Sequence, residues 1–180
     1  MTALTPLSDA EWPGGIADML PGFAGRLDIY RVMAHHPALL RAWSDLRQHV
    51  VVDTALGAEF SEVVILRTGL RHGSDYEWGH HVSRARKLGM EETRIASIKG
   101  PLDAMSEADA VLAGAVDELL EASRLSRARQ ADLEALVGRA GMFDLMATVG
   151  LYTVLAFIAN TAELPLDANI LAELEKTPAP

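Results

Sequence analysis

Apolar side chains return every three or four positions along most of the chain, and glycine and proline mark the interruptions. From Pro37 onward, Leu39, Leu40, Trp43, Leu46, Val50 and Val51 fall on one stripe, which predicts an amphipathic helix running to a stop at Gly57. A second helix is predicted from near Glu59, with Val63, Val64, Leu66 and Leu70 inward and a break around Gly73-Ser74-Asp75. A third runs from about Asp75 to Leu88 and ends at Gly89. A short helix follows near Glu91 to Ile98, then a turn at Gly100-Pro101. Ser106, with Asp109 in the capping-box position, opens an acidic amphipathic helix, and Ser126 caps another that carries Leu133, Leu136 and Val137. The last predicted helix spans about Met142 to Ala162, and the tail beyond Pro165 reads as loosely held.

Upstream of Pro37, Leu27, Tyr30, Val32 and Met33 suggest a short helix. It ends at His35-His36, because a residue before proline is pushed out of the helical region. Residues Met1 to about Gly25 carry Pro6, Pro13 and Pro21 among four glycines, which predicts an irregular arm. No stretch alternates in the manner of a half-buried strand, so the fold class is all-α, and residues 1–180 read as a single domain.

Composition narrows the function. The formal net charge of −9 argues against a duplex nucleic-acid partner, which calls for a concentrated basic face. The run from Leu145 to Ala159, bracketed by Asp144 and Asn160, falls short of the roughly 20 residues that cross a bilayer, so no membrane partner is expected. Its apolar circumference is more than one small domain is expected to cover, which predicts a homo-oligomer. The segment Met1-Thr2-Ala3-Leu4-Thr5-Pro6 has neither the basic start nor the apolar run of a secretion signal, and the expectation is a cytoplasmic protein. The chain has no cysteine, which removes thiol nucleophiles, thiolate metal ligands and redox pairs.

Candidate chemistry concentrates between Glu62 and His81. Glu77 and His81 are four apart on one predicted helix and leave the same face. A helical hairpin would bring Glu62 toward them from the preceding helix. In a poorly solvated cleft two such carboxylates cannot both ionise cheaply, so one rises in pKa and serves as an acid while the imidazole shuttles the proton. The alternatives are a solvated Glu/His pair worth a few tenths of a kcal/mol, or a satisfied buried network in a non-catalytic, small-molecule-binding or assembly protein. Glu77-Trp78-Gly79-His80 also fits the Glu-x-x-His pattern of di-iron bundles. Such sites need a second copy and two further glutamates, and the chain has one pattern only, so no metal is expected. Tyr76, Trp78 and Leu88 read as core, and His35, His36, His49 and His72 as helix-end or surface residues.

Glu62, the Tyr76-Glu77-Trp78 triplet, His81 and Gly89 together resemble the core signature of carboxymuconolactone decarboxylases and their alkylhydroperoxidase relatives. The resemblance extends upstream through His36-Pro37 and downstream through the region from Asp132 to Asn160. In the peroxidase branch it would place cysteines at Ser74 and Glu77. Neither is present, so the resemblance points to the decarboxylase branch. It implies an all-helical bundle without cofactor, assembled as a dimer, trimer or hexamer. The implied reaction is loss of CO2 from a small carboxylated lactone of aromatic catabolism, or from a related enolisable acid, followed by protonation of the carbanion. By that resemblance His81 delivers the proton, Glu77 orients the imidazole and Glu62 completes the relay. Arg67 or Arg71 would meet the substrate carboxylate, with Ser74, Trp78 and His80 completing the binding set. The leading arm and extra C-terminal helices resemble the longer members, which have no assigned substrate.

Overall fold

A helical hairpin stands at the centre of the molecule. The computed structural model describes residues 4–180, so the first three residues of the N-terminal arm lie outside it. Short 3-10 turns at Asp9–Glu11, Gly14–Met19 and Phe23–Gly25 lead into α1 (Asp28–Met33) and α2 (Pro37–Gln48). Then come α3 (Ala58–Arg71) and α4 (Asp75–Lys87), followed by α5 (Glu92–Ser97), α6 (Glu107–Ala122), α7 (Arg127–Thr161) and α8 (Ala168–Lys176). Among the described residues there is no strand, and the protein is all-α as its periodicity predicts.

α3 is buried without interruption from Ser61 to Gly69, because α4, α6 and α7 all pack against it. Two apolar clusters flank it. One joins the arm and α1 to α2 and the C-terminal part of α7, through Trp12, Ile16, Met19, Leu40, Trp43 and Leu155. The other fills the space among α3 to α7 with Leu66, Val82, Ile95, Leu112 and Leu145. The arm is irregular as expected, yet its apolar side chains are anchored in the first cluster.

The caps at Ser106 and Ser126 fall where the sequence places them. These two, and Ser74, which the sequence reading does not assign as a cap, each accept a backbone N–H from the residue three further on. The stripe that begins at Pro37 does not remain α-helical to Gly57, since α2 ends at Gln48 and continues as a wide π turn over His49–Asp53. Asp144 of α7 holds the segment after that turn, taking the Ala55 N–H at 2.6 Å and pairing with His49 at 2.8 Å. α7 is broken at Gly138 (φ 71°, ψ 175°), which separates the two helices expected there. By length and composition α7 could cross a bilayer; here half of its apolar window is buried in the core.

The tail beyond Pro165 corrects the sequence reading. It forms α8 and is fastened to α4, with Asp167 and Ile170 buried. Gly79 makes the close approach possible. A Cβ there would lie 2.6 Å from the Leu166 Cδ2 atom and 3.2 Å from the Leu174 Cδ1 atom.

Candidate active site

α3 and α4 are joined by a short turn, so Glu62 and His81 face each other across the hairpin. The His81 Nδ1 atom lies 2.6 Å from the Glu62 Oε2 atom, and the other Glu62 oxygen pairs with the Arg84 Nε atom at 3.1 Å. A carboxylate opposite Nδ1 assigns that nitrogen as the N–H donor, which leaves Nε2 as an acceptor. Nε2 is 3.7 Å from the Glu77 Oε2 atom. Sequence reasoning gives Glu77 the orienting role; in the structure Glu62 holds the ring, and Glu77 stands at its free nitrogen. Tyr152 from α7 packs edge-on against the imidazole with ring centroids 4.9 Å apart.

Burial decides the protonation states. Glu77 is 3% exposed, and desolvation pushes its carboxyl up to about 8, so it is a neutral acid at neutral pH. Its Oε1 atom is buried without a hydrogen-bond partner. Desolvation also lowers His81, opposed by the Glu62 carboxylate, and the imidazole is neutral under the same conditions. The result is a chain from acid to neutral imidazole to carboxylate to guanidinium.

This chain opens into a cavity of about 130 Å³. Its apolar wall includes Leu27, Ile29, Val51, Leu155 and Ile170, and its polar wall Glu77, His80, His81, Arg47, Arg84 and Lys87. α8 closes one side through a second polar cluster. The His80 Nδ1 atom donates to the Tyr76 carbonyl at 2.9 Å, and its Nε2 atom stands 3.2 Å from the Asp167 Oδ2 atom. The other Asp167 oxygen accepts the Tyr76 hydroxyl at 3.1 Å and the Asp28 N–H at 3.3 Å. The facing His80 Nε2 and Asp167 Oδ2 atoms are both buried without a hydrogen-bond partner. Replacing Asp167 by alanine strands these buried donors and is expected to cost about 2–3 kcal/mol. Amide hydrogen exchange should show α8 losing protection first; unchanged protection of α8 would refute this anchoring role.

Four residues of the sequence-derived binding set lie elsewhere. Arg67 is buried between helices, with its Nε and Nη2 atoms on Asp117 at 3.0 and 2.7 Å and its Nη1 atom on the carbonyls of Ile98 and Gly100. Arg71 pairs with Asp117 and Glu121. Neither lines the cavity, because both side chains leave α3 toward α6. Ser74 is spent on the α4 cap. Trp78 joins the second apolar cluster, with the Lys99 Nζ atom 4.5 Å from its ring centroid. His80 alone of that set lines the cavity. Among the described residues no group of side chains is arranged to hold a metal.

Sequence reasoning missed Arg47, Arg84, Lys87, Tyr30, Tyr152 and Asp167. Helical spacing offered a signal for two of them: Arg84 and Lys87 continue the face of α4 that carries Glu77 and His81. The others arrive from α1, α2, α7 and the segment before α8, and nothing local links them to the hairpin.

A cysteine-free helical protein with a buried Glu/His/Glu acid–base chain in a hairpin is the class that fold and site define. Residues 37–119, which include Glu62, Glu77, His80 and His81, match the Carboxymuconolactone decarboxylase family. No curated protein matches the sequence. Among solved structures, it is similar to an uncharacterized peroxidase-related protein with an alkylhydroperoxidase AhpD core from Ralstonia eutropha JMP134. That match has a TM-score of 0.79 and 14% identity, covering 94% of this chain and 96% of that one. An uncharacterized peroxidase-related protein from Silicibacter sp. TM1040 gives 0.77 at 12% identity, over 94% and 95%. A cysteine-to-alanine variant of the debrominase Bmp8 in complex with 2,3,4-tribromopyrrole gives 0.75 at 14% identity, over 98% and 97%. Likenesses at such identities show the shared fold.

Proposed function

We propose that the protein is a cofactor-independent acid–base enzyme that decarboxylates a small carboxylated lactone or a related enolisable acid. The observation that carries this reading is Glu77: a neutral buried acid, with one oxygen unpartnered, on the wall of a small cavity beside the free nitrogen of His81. A cavity of about 130 Å³ is close to the roughly 150 Å³ that holds a benzene ring, which suits a monocyclic substrate.

In the proposed reaction the bond between the ring carbon and its carboxylate breaks and CO2 departs. The electron pair enters the conjugated lactone carbonyl as an enolate. Glu77 gives its proton to the carbanionic carbon and becomes a carboxylate. A proton from water then returns to Glu77 through the Nε2 atom of His81, while Glu62 and Arg84 hold the imidazole by its other nitrogen. The chain has no cysteine, so no step uses a thiol. The exposed Phe143, Val154 and Phe157 of α7 support self-association of the protein.

The test is incubation with γ-carboxymuconolactone and a panel of related lactone and keto acids in deuterated water, following CO2 release and deuterium at the product carbon. One deuteron incorporated per CO2 released is the expected result. Deuterium exchange without CO2 would reassign the site to isomerisation, and silence across the panel would overturn the enzymatic reading.

A further inference from the structure

The cavity is cationic in a protein whose net charge is −9. Three of its lining residues carry a fixed positive charge, and two of these are already matched. Arg84 pairs with Glu62 at 3.1 Å, and Lys87 with Glu173 at 3.1 Å. Arg47 is different. No carboxylate pairs with it among the described residues, and its Nε atom is buried without a hydrogen-bond partner. Its Cζ atom lies 4.3 Å from the centroid of the Phe23 ring, so the guanidinium is seated on an aromatic face and its orientation is set before any ligand arrives. The side chain as a whole is half-buried, but a buried Nε–H without an acceptor is an unfavourable arrangement that a bound anion relieves.

We propose that Arg47 is the specificity-determining residue of the cavity, taking the carboxylate of a small unsaturated acid while the apolar wall receives the rest of the molecule. The planar guanidinium presents parallel N–H groups that match the two oxygens of a carboxylate, a fit that lysine cannot reproduce. Tyr30, whose hydroxyl burial keeps protonated, lines the same wall, and the neutral Glu77 leaves the field of Arg47 unopposed. Leu27, Ile29, Val51 and Leu155 leave the remainder of the ligand no ionic partner, which selects a compact acid over a sugar or a peptide. The inference deepens the acid–base reading of this cavity and rests on it for the reaction, though not for binding.

Calorimetric titration of the full chain with 2-furoate and 2-furamide at neutral pH separates charge from shape, since the two rings are nearly isosteric. The wild type is expected to prefer furoate by about tenfold or more, the scale of a charged hydrogen bond. Arg47→Gln should abolish that preference and leave furamide binding unchanged, and Arg47→Lys should restore it in part. The lysine variant also guards against misfolding, as it keeps a long aliphatic stem and a positive charge at this position. In turnover, Arg47→Gln should raise KM for a carboxylated substrate far more than it lowers kcat. Equal binding of the two ligands by the wild type, no binding of furoate, or a preference that survives in Arg47→Gln would each overturn the proposal. If Glu77→Gln retains the furoate preference and no lactone acid is turned over by the wild type, the anion site stands and the acid–base reading falls.

Discussion

Replacing Glu77 by glutamine is expected to lower turnover by about two to four orders of magnitude, the usual range for a positioned proton donor. The amide keeps the shape and the hydrogen-bonding capacity but has no acidic proton, so helix content and oligomeric state should be unchanged. Glutamate in the unfolded chain ionises near 4.5 and in the fold near 8. The folded state therefore holds the proton more tightly than the unfolded one. This group's contribution to stability is fully present below about 4.5 and is lost as pH rises toward 8. Its upper bound is about 5 kcal/mol, from about 1.4 kcal/mol per pKa unit. Glu77→Gln removes the titration, so the variant should outlast the parent in denaturant above pH 8 while being nearly inert.

The wild-type rate should follow a bell. The alkaline limb is set by ionisation of Glu77 near 8, and the acid limb by protonation of His81 below its ordinary range. His81→Gln should abolish the acid limb together with most of the turnover. Full activity in either variant would remove that residue from the mechanism. An alkaline limb that persists in a weakly active Glu77→Gln protein would show that another group titrates there.

The second large effect lies away from the cavity. Asp117→Ala leaves the Arg67 guanidinium buried without its carboxylate, and the expected destabilisation is about 3–5 kcal/mol. Arg67 spans three elements, tying α3 to Asp117 on α6 and to the carbonyls of Ile98 and Gly100 after α5. Replacing both partners with apolar residues of similar volume, Arg67→Met with Asp117→Leu, should recover much of the loss, because no charge then stays unpaired in the interior. Urea denaturation reads the stability, and the furoate titration checks that ligand affinity is untouched. A weakened affinity with stability preserved would return Arg67 to the substrate-binding role that its sequence context suggests.

Arg67 illustrates what local reasoning cannot separate. It lies five positions after Glu62 in the same motif, and by residue type it is a fitting carboxylate binder. Its direction is set by where α6 packs, and α6 begins far downstream at Glu107. Arg47 shows the converse. In sequence it is a polar position in an amphipathic helix, and its guanidinium acquires meaning from Phe23 in the arm and from Tyr152 and Leu155 on α7, which share its cavity.

The helices themselves were legible because their causes are local. A 3.6-residue apolar period, serine caps and glycine stops act over a few residues and need no partner. The π turn after Gln48 was not legible, since Asp144 holds the segment that follows it from across the molecule. Nor was α8, which lies on α4 through Asp167 and through Leu166 and Leu174 over Gly79.

By itself the sequence determined the all-α class, the positions of the central helices, the absence of thiol chemistry and the three residues Glu62, Glu77 and His81. Helical spacing alone puts the last two on one face, and a short turn brings the first across to them. Tertiary structure decided which carboxylate grips the imidazole, which one is a neutral acid, and which arginine faces the cavity. Protonation and pairing depend on burial and on groups within a few ångströms, and here those groups come from α1, α2, α7 and the segment leading into α8, segments distant in sequence that only the folded chain places around the hairpin.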